Sequence, residues 1–179
     1  KSAIERFVNP GRVHQCSPPD GGYDIPARCR SLGAGSFASV TCGVHRASGT
    51  SVAVKQVLKR RLLSDEERLA MRREIELHPH LVHANVVRLY EVFETADSFF
   101  LVLELCGDGN LEDRFRKSRL GVPELEACWF MFQLVSAVDY LHSNGVLHAD
   151  IKPANCLLVV SPSDAAALAP SAFSQVATA

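Results

Sequence analysis

The chain lacks several features that would assign it a function at a glance. Its 19 basic and 20 acidic residues leave a formal charge of -1, so electrostatics favour neither nucleic acid nor an anionic membrane as the main partner. There is no Cys-x-x-Cys pair. The six cysteines, at positions 16, 29, 42, 106, 128 and 156, lie far apart and read as reduced thiols of an intracellular, cytoplasmic protein, neither a disulfide framework nor a zinc site. The longest apolar run, residues 127–138, is broken by Gln133 and Ser136 and is too short for a membrane segment. No signal peptide is evident, and the chain opens on Lys1 instead of Met, which leaves room for an upstream targeting segment and reads as the start of a fragment. His78, His80 and His83 cluster, but Pro79 interrupts them and no cysteine or carboxylate completes a metal set.

What is present is the composition of a globular protein. Of 179 residues, 47% are hydrophobic and 22% charged, enough for one domain or most of a larger one. Residues 1–22 hold Asn9-Pro10-Gly11, Ser17-Pro18-Pro19 and Asp20-Gly21-Gly22, punctuation that predicts a linker or flexible arm. Next, Leu32-Gly33-Ala34-Gly35-Ser36-Phe37-Ala38-Ser39-Val40 predicts two strands joined by a tight loop, whose small residues let the backbone offer N–H groups to a polyphosphate. A dinucleotide-binding loop would open a helix. Here residues 40–45 continue as strand, Ser48-Gly49 turns the chain, and residues 51–58, with Val52-Ala53-Val54-Lys55, read as another strand.

Ser64-Asp65-Glu66-Glu67 predicts a capping box and a helix to about Leu77, its modest apolar face formed by Leu69, Ile75 and Leu77. Glu74 can turn inward to meet Lys55, whereas Glu76, about 200° further round, cannot do so at the same time. Strands are expected over residues 86–93 and 99–105, followed by the connector Cys106-Gly107-Asp108-Gly109-Asn110 and a short helix from Leu111 to about Ser118. Pro123 opens a long helix that Asn144-Gly145 ends. Leu125, Cys128, Trp129, Phe132, Val135, Val138 and Leu141 recur at helical spacing and predict its core face.

The segment Val146 to Leu158 then places a carboxylate, Asp150, an ammonium, Lys152, and an amide, Asn155, within six residues. Such a set suits phosphoryl transfer to a hydroxyl, which needs an acid–base group, a cation and a ligand for a hard metal. The flanking residues, Val146-Leu147 and 156–160, read as short strands that hold the segment rigid.

These motifs, in this order over roughly Tyr23 to Val160, resemble the eukaryotic-type protein kinase family, in its serine/threonine-like form. The resemblance implies an α+β fold with a five-stranded antiparallel small lobe and one main helix over 23–105. It implies the first helices of a truncated helical large lobe over 107–160, and leaves 161–179 as an Ala/Ser/Pro-rich disordered tail. It implies ATP and Mg2+ as cofactors and a protein serine or threonine as substrate. Leu32, Gly33, Ala34, Gly35, Ser36, Phe37 and Val40 would cover the nucleotide, beside Ala53. Lys55, held by Glu74, would orient the phosphates. Leu103 would be the gatekeeper, the backbone of Glu104 and Cys106 would meet the adenine, and Asn110 would lie near the ribose. Asp150 and Lys152 would be catalytic, and Asn155 would ligate magnesium.

The chain departs from the family pattern at Ala38, which replaces a glycine, and at Ala149, which replaces the arginine before Asp150. After residue 160 the family would show a turn, a strand and Asp-Phe-Gly. Here the chain runs through Ser161-Pro162-Ser163-Asp164 and an alanine-rich stretch with no such motif. Two functions follow: an ATP-dependent serine/threonine kinase of which these residues are a feeble part, or a pseudokinase-like module that binds nucleotide or a partner without turnover.

Overall fold

The computed structural model describes residues 3–6, 8–9, 11–26, 31–34, 38–118, 121–159 and 175–178. They fall into two compact units, residues 1–82 with 88–105 and residues 83–87 with 106–179.

The first unit is built on a seven-stranded mixed sheet. Its strands are β1 (Val13–His14), β2 (Tyr23–Asp24), β3 (Ser31–Ala34), β4 (Ala38–His45), β5 (Ser51–Leu58), β6 (Leu89–Glu94) and β7 (Ser98–Glu104). The order is β1-β6-β7-β5-β4-β2, with β3 also paired to β4. Five of these strands, in the order β3-β4-β5-β7-β6, form the expected five-stranded antiparallel set, with β7 and not β6 beside β5. The other two come from or adjoin the segment predicted as a flexible arm: β1 pairs parallel with β6, Val13 opposite Val92, and β2 pairs with β4.

That segment therefore packs where a linker was expected. Ile4 and Tyr23 are fully buried and join Val52, Val54, Tyr90, Phe93 and Val102 in one core cluster. The Tyr23 hydroxyl donates to Glu91 Oε2 at 2.6 Å, and the second oxygen of Glu91 lies 3.0 Å from His14 Nε2. Glu91 is buried, and a carboxylate there is tolerable because both oxygens are bonded. Burial, and then the carboxylate itself, push the Tyr23 phenol far above its ordinary range.

Helix α1 (Asp65–Leu77) begins as its sequence requires. Ser64 Oγ accepts from the Glu67 N–H at 3.1 Å while Glu67 Oε2 accepts from the Ser64 N–H at 3.1 Å, the reciprocal capping box. Its buried side chains are Met71 and Ile75, whereas Leu69 and Leu77 are half exposed. Cys42 in β4 is disulfide-bonded, which corrects the expectation of six reduced thiols. Cys16, Cys106, Cys128 and Cys156 are thiols outside any disulfide, and Cys29 lies outside the described residues.

The second unit holds α2 (Leu111–Lys117), α3 (Glu124–Ser143), β8 (Cys156–Val159) and β9 (Gln175–Thr178). Gly145, at φ 71°, ends α3. The N–H groups of Gly145 and Val146 return to the carbonyls of His142 and Leu141 at 2.9 Å each, a Schellman closure that needs the left-handed residue. The face of α3 that packs is Phe130, Gln133, Ala137 and Leu141. Leu125, Trp129, Phe132 and Val135, predicted as core, are exposed, Leu125 by 79% and Phe132 by 69%. Polar contacts also anchor the segment 83–87 to α3: Asn85 Nδ2 donates to the buried Gln133 at 3.0 Å, and the His83 ring stacks on Tyr140 at 4.9 Å. Residues 146–147 are not strand. β9 pairs antiparallel with β8, Cys156 opposite Thr178, and so supplies a strand within the tail expected to be disordered.

Candidate active site

In the first unit the strand registers assemble one face of the sheet. Val40 on β4 and Leu101 on β7 stand opposite Lys55 on β5, and Cys42 and Leu103 stand opposite Ala53. Directly opposed residues share a face and alternate residues take the other. Val52 and Val54 accordingly enter the buried cluster, while Val40, Ala53, Lys55 and Leu103 line the opposite surface. The sequence motifs named Val40, Ala53, Lys55 and Leu103 for that surface. Cys42 and Leu101 join them only through the pairing register, which no short window shows.

Lys55 Nζ donates to Glu74 Oε1 at 3.0 Å, the contact expected from the helical angle of Glu74. Both side chains are about one-third exposed, at 33% and 38%, so the pair contributes little stability. Its consequence is positional, because it aims the ammonium. Glu104 has its backbone N–H committed to the Arg88 carbonyl at 2.8 Å, and its Oε2 accepts from the Arg88 N–H at 3.3 Å. Leu32 and Gly33 lie on β3 with Ala34, whereas Gly35, Ser36 and Phe37 lie outside the described residues.

In the second unit the three residues read as catalytic or metal-binding converge. Lys152 Nζ donates to Asp150 Oδ1 at 3.0 Å and to Oδ2 at 2.9 Å. Asn155 Nδ2 donates to Asp150 Oδ2 at 2.8 Å and to the Asp150 carbonyl at 2.9 Å. The Lys152 hydrogen bonds, then that of Asn155, hold the Asp150 carboxyl below its usual range. Asp150 is therefore an ionised, solvent-facing acceptor at neutral pH.

The backbone forces this convergence. Ala149 adopts φ 61°, a left-handed conformation disfavoured for residues with a Cβ, and a single 3-10 turn over Pro153–Asn155 brings the amide back over Asp150. The loop is anchored behind by β8, whose Cys156 and Leu158 bury with Leu111 and Phe130. β8 in turn bonds the connector, the Leu158 N–H donating to the Gly109 carbonyl at 2.9 Å. Asn110 caps α2, its Oδ1 accepting from the Asp113 N–H at 2.8 Å. Cys106 is partly buried. Among the described residues no group of three histidine, cysteine, aspartate or glutamate side chains that could hold a metal ion occurs.

Comparison with known proteins agrees with this architecture. The protein kinase domain family model matches residues 27–165, and the chain belongs to that family. It is 42% identical over 131 residues to the hormonally up-regulated neu tumor-associated kinase of Homo sapiens, covering 72% of this chain and 18% of the relative. It is 40% identical over 126 residues to a probable myosin light chain kinase of Dictyostelium discoideum, covering 70% of this chain and 32% of that protein. NUAK family SNF1-like kinase 1 of Homo sapiens is 38% identical over 128 residues, covering 72% and 19%. Among solved structures, Rad53 residues 1–466 in complex with AMP-PNP superposes with a TM-score of 0.72 at 30% identity, covering 79% of this chain and 36% of that one. The chain thus spans about one-fifth to one-third of the length of these curated relatives.

Proposed function

We propose that the protein of which these residues form part is an ATP-dependent kinase that transfers the γ-phosphoryl group to serine or threonine hydroxyls. The observation that carries the reading is the loop in which Lys152 and Asn155 both bond the ionised Asp150. In this reading Asp150 orients the substrate hydroxyl and accepts its proton. Lys152 moves from Asp150 toward the transferring group and offsets its charge. Lys55, aimed by Glu74, contacts the nucleotide phosphates.

The nucleotide would lie against Val40, Ala53 and Leu103 under the glycine-rich turn formed by Leu32, Gly33, Ala34, Gly35, Ser36 and Phe37. Its adenine would meet the backbone of Glu104 and Cys106, and its ribose Asn110. The bound AMP-PNP of Rad53 and the kinase names of the relatives support ATP as ligand. Asn155 fits Mg2+ because its Nδ2 is committed to Asp150, leaving Oδ1 free to face a hard cation. Bound there, the cation would neutralise phosphate charge.

The activity test is transfer of labelled γ-phosphate to a serine/threonine peptide library by the longest natural product. Asp150→Asn is expected to lower kcat by about 100- to 10,000-fold, the usual weight of a general base. Equal rates in the two proteins would overturn the assignment. A pseudokinase-like role predicts Lys55-dependent nucleotide binding with no transfer above the Asp150→Asn background.

A further inference from the structure

We propose that the disulfide at Cys42 is a redox switch on nucleotide affinity, which when oxidised ties together the strand pair that frames the glycine-rich turn. The inference rests on the nucleotide reading above. Cys42 stands on β4 opposite Ala53, and Ala53 stands opposite Leu103. With Val40, Cys42 therefore shares the surface assigned to the nucleotide. It is disulfide-bonded. Cys16, Cys106, Cys128 and Cys156 are outside any disulfide, so the sequence leaves Cys29 to complete the pair. A bridge standing among so many thiols is not the dense framework of a small secreted domain; it is the usage of a bond that opens and closes. Cys42 is only partly buried, so a small thiol can reach it.

The place of the bond gives it a consequence. β3 pairs with β4, Ser31 opposite Thr41, Gly33 opposite Val40 and Ala34 opposite Ser39, and the register breaks between Ser31 and Gly33. A short, interrupted ladder thus holds the hairpin that carries the turn. A covalent tie from β4 to the chain leading into β3 limits how far the two strands part. It thereby lowers the conformational freedom that the turn loses when it receives a ligand. Reduction breaks the S–S bond and leaves two protein thiols. The two electrons and two protons come from a pair of glutathione thiols, which leave as glutathione disulfide. Oxidation by glutathione disulfide runs the same exchange backward. The oxidised chain is the tighter nucleotide binder, and reduction loosens the hairpin and weakens the hold.

The test is a calorimetric titration of the 179-residue chain with MgATP after equilibration in oxidised or in reduced glutathione. The oxidised chain is expected to bind more tightly by about fivefold or more, the low end of ordinary coupling between sites. Coupling is reciprocal. Saturating MgATP should therefore shift, by the same factor, the glutathione ratio at which half of the Cys42 disulfide is open, read by mass spectrometry after alkylation. Cys42→Ser should bind as the reduced chain does in either buffer, whereas Cys128→Ser on α3 should keep the response. Equal or weaker binding by the oxidised chain, a response that survives Cys42→Ser, or a glutathione ratio that MgATP leaves unmoved would each overturn the switch. Lys55-dependent binding that ignores the buffer overturns the switch alone; no binding in either buffer overturns the nucleotide reading with it. The two buffers decide the case on the unaltered chain if Cys42→Ser fails to fold.

Discussion

The two units treat their apolar surface differently. In the first, the sheet is covered on the side of Val52, Val54, Phe93 and Val102 because the N-terminal segment lays Ile4 and Tyr23 over it. Little large apolar surface remains in solvent on that side. In the second, α3 buries Phe130, Ala137 and Leu141 but presents Leu125, Met131, Phe132 and Val135 outward, each more than half exposed. A helix apolar on both sides is one with a second surface to cover. One side of the first unit's sheet is closed by its own chain; the second unit carries a helix face that these residues do not close. Destabilising substitutions should therefore concentrate in the first unit, and solubility defects in the second.

Phe93→Ala should break the contrast most severely. The ring is fully buried, and its loss is expected to cost about 3–5 kcal/mol, read as a drop in the denaturation midpoint. Phe132→Ser, at a similar-sized but exposed ring, should stay within about 0.5 kcal/mol and reduce aggregation. Equal losses at the two rings would abolish the distinction. Tyr23→Phe removes the hydroxyl from a buried carboxylate and should cost about 1–3 kcal/mol, with little change expected if the arm is undocked in solution. Gly21→Ala asks the same question through sterics: a Cβ there would fall inside the Phe93 ring, so a cost of about 1–3 kcal/mol is expected.

A smaller effect concerns acid. The Lys59 hydrogen bond is the largest influence holding Glu94 below the ordinary carboxylate range. A group whose pKa is depressed on folding contributes stability above its unfolded pKa and loses it as the pH falls through the folded value. Glu94→Gln should therefore narrow the stability difference between neutral and acid conditions, measured as melting temperature against pH. Another small effect is at Ala149. Glycine relieves the left-handed strain but adds freedom to the unfolded chain, so Ala149→Gly should shift stability by no more than about 1 kcal/mol.

Much of the candidate site was legible in the sequence because its signals are local. Ser64 and Glu67 are three residues apart and cap one helix. Glu74 faces Lys55 because of an angle on that helix. Asp150, Lys152 and Asn155 lie within a single turn and loop, so their convergence needs no distant contact. The alternation Val52-Ala53-Val54-Lys55 already separates the buried face of β5 from the face that carries the lysine.

What only the tertiary structure decided is non-local. The pairing of Val13 with Val92 joins positions far apart in the chain, and the glycine- and proline-rich residues around it look like a linker in any short window. Glu91, an ordinary strand charge in the sequence, becomes buried because His14 from the arm and Tyr23 just after it arrive to bond it. In α3 the apolar periodicity was present on two faces, and periodicity cannot say which of them finds a neighbour. Burial is settled by what packs against an element, and that depends on the whole chain.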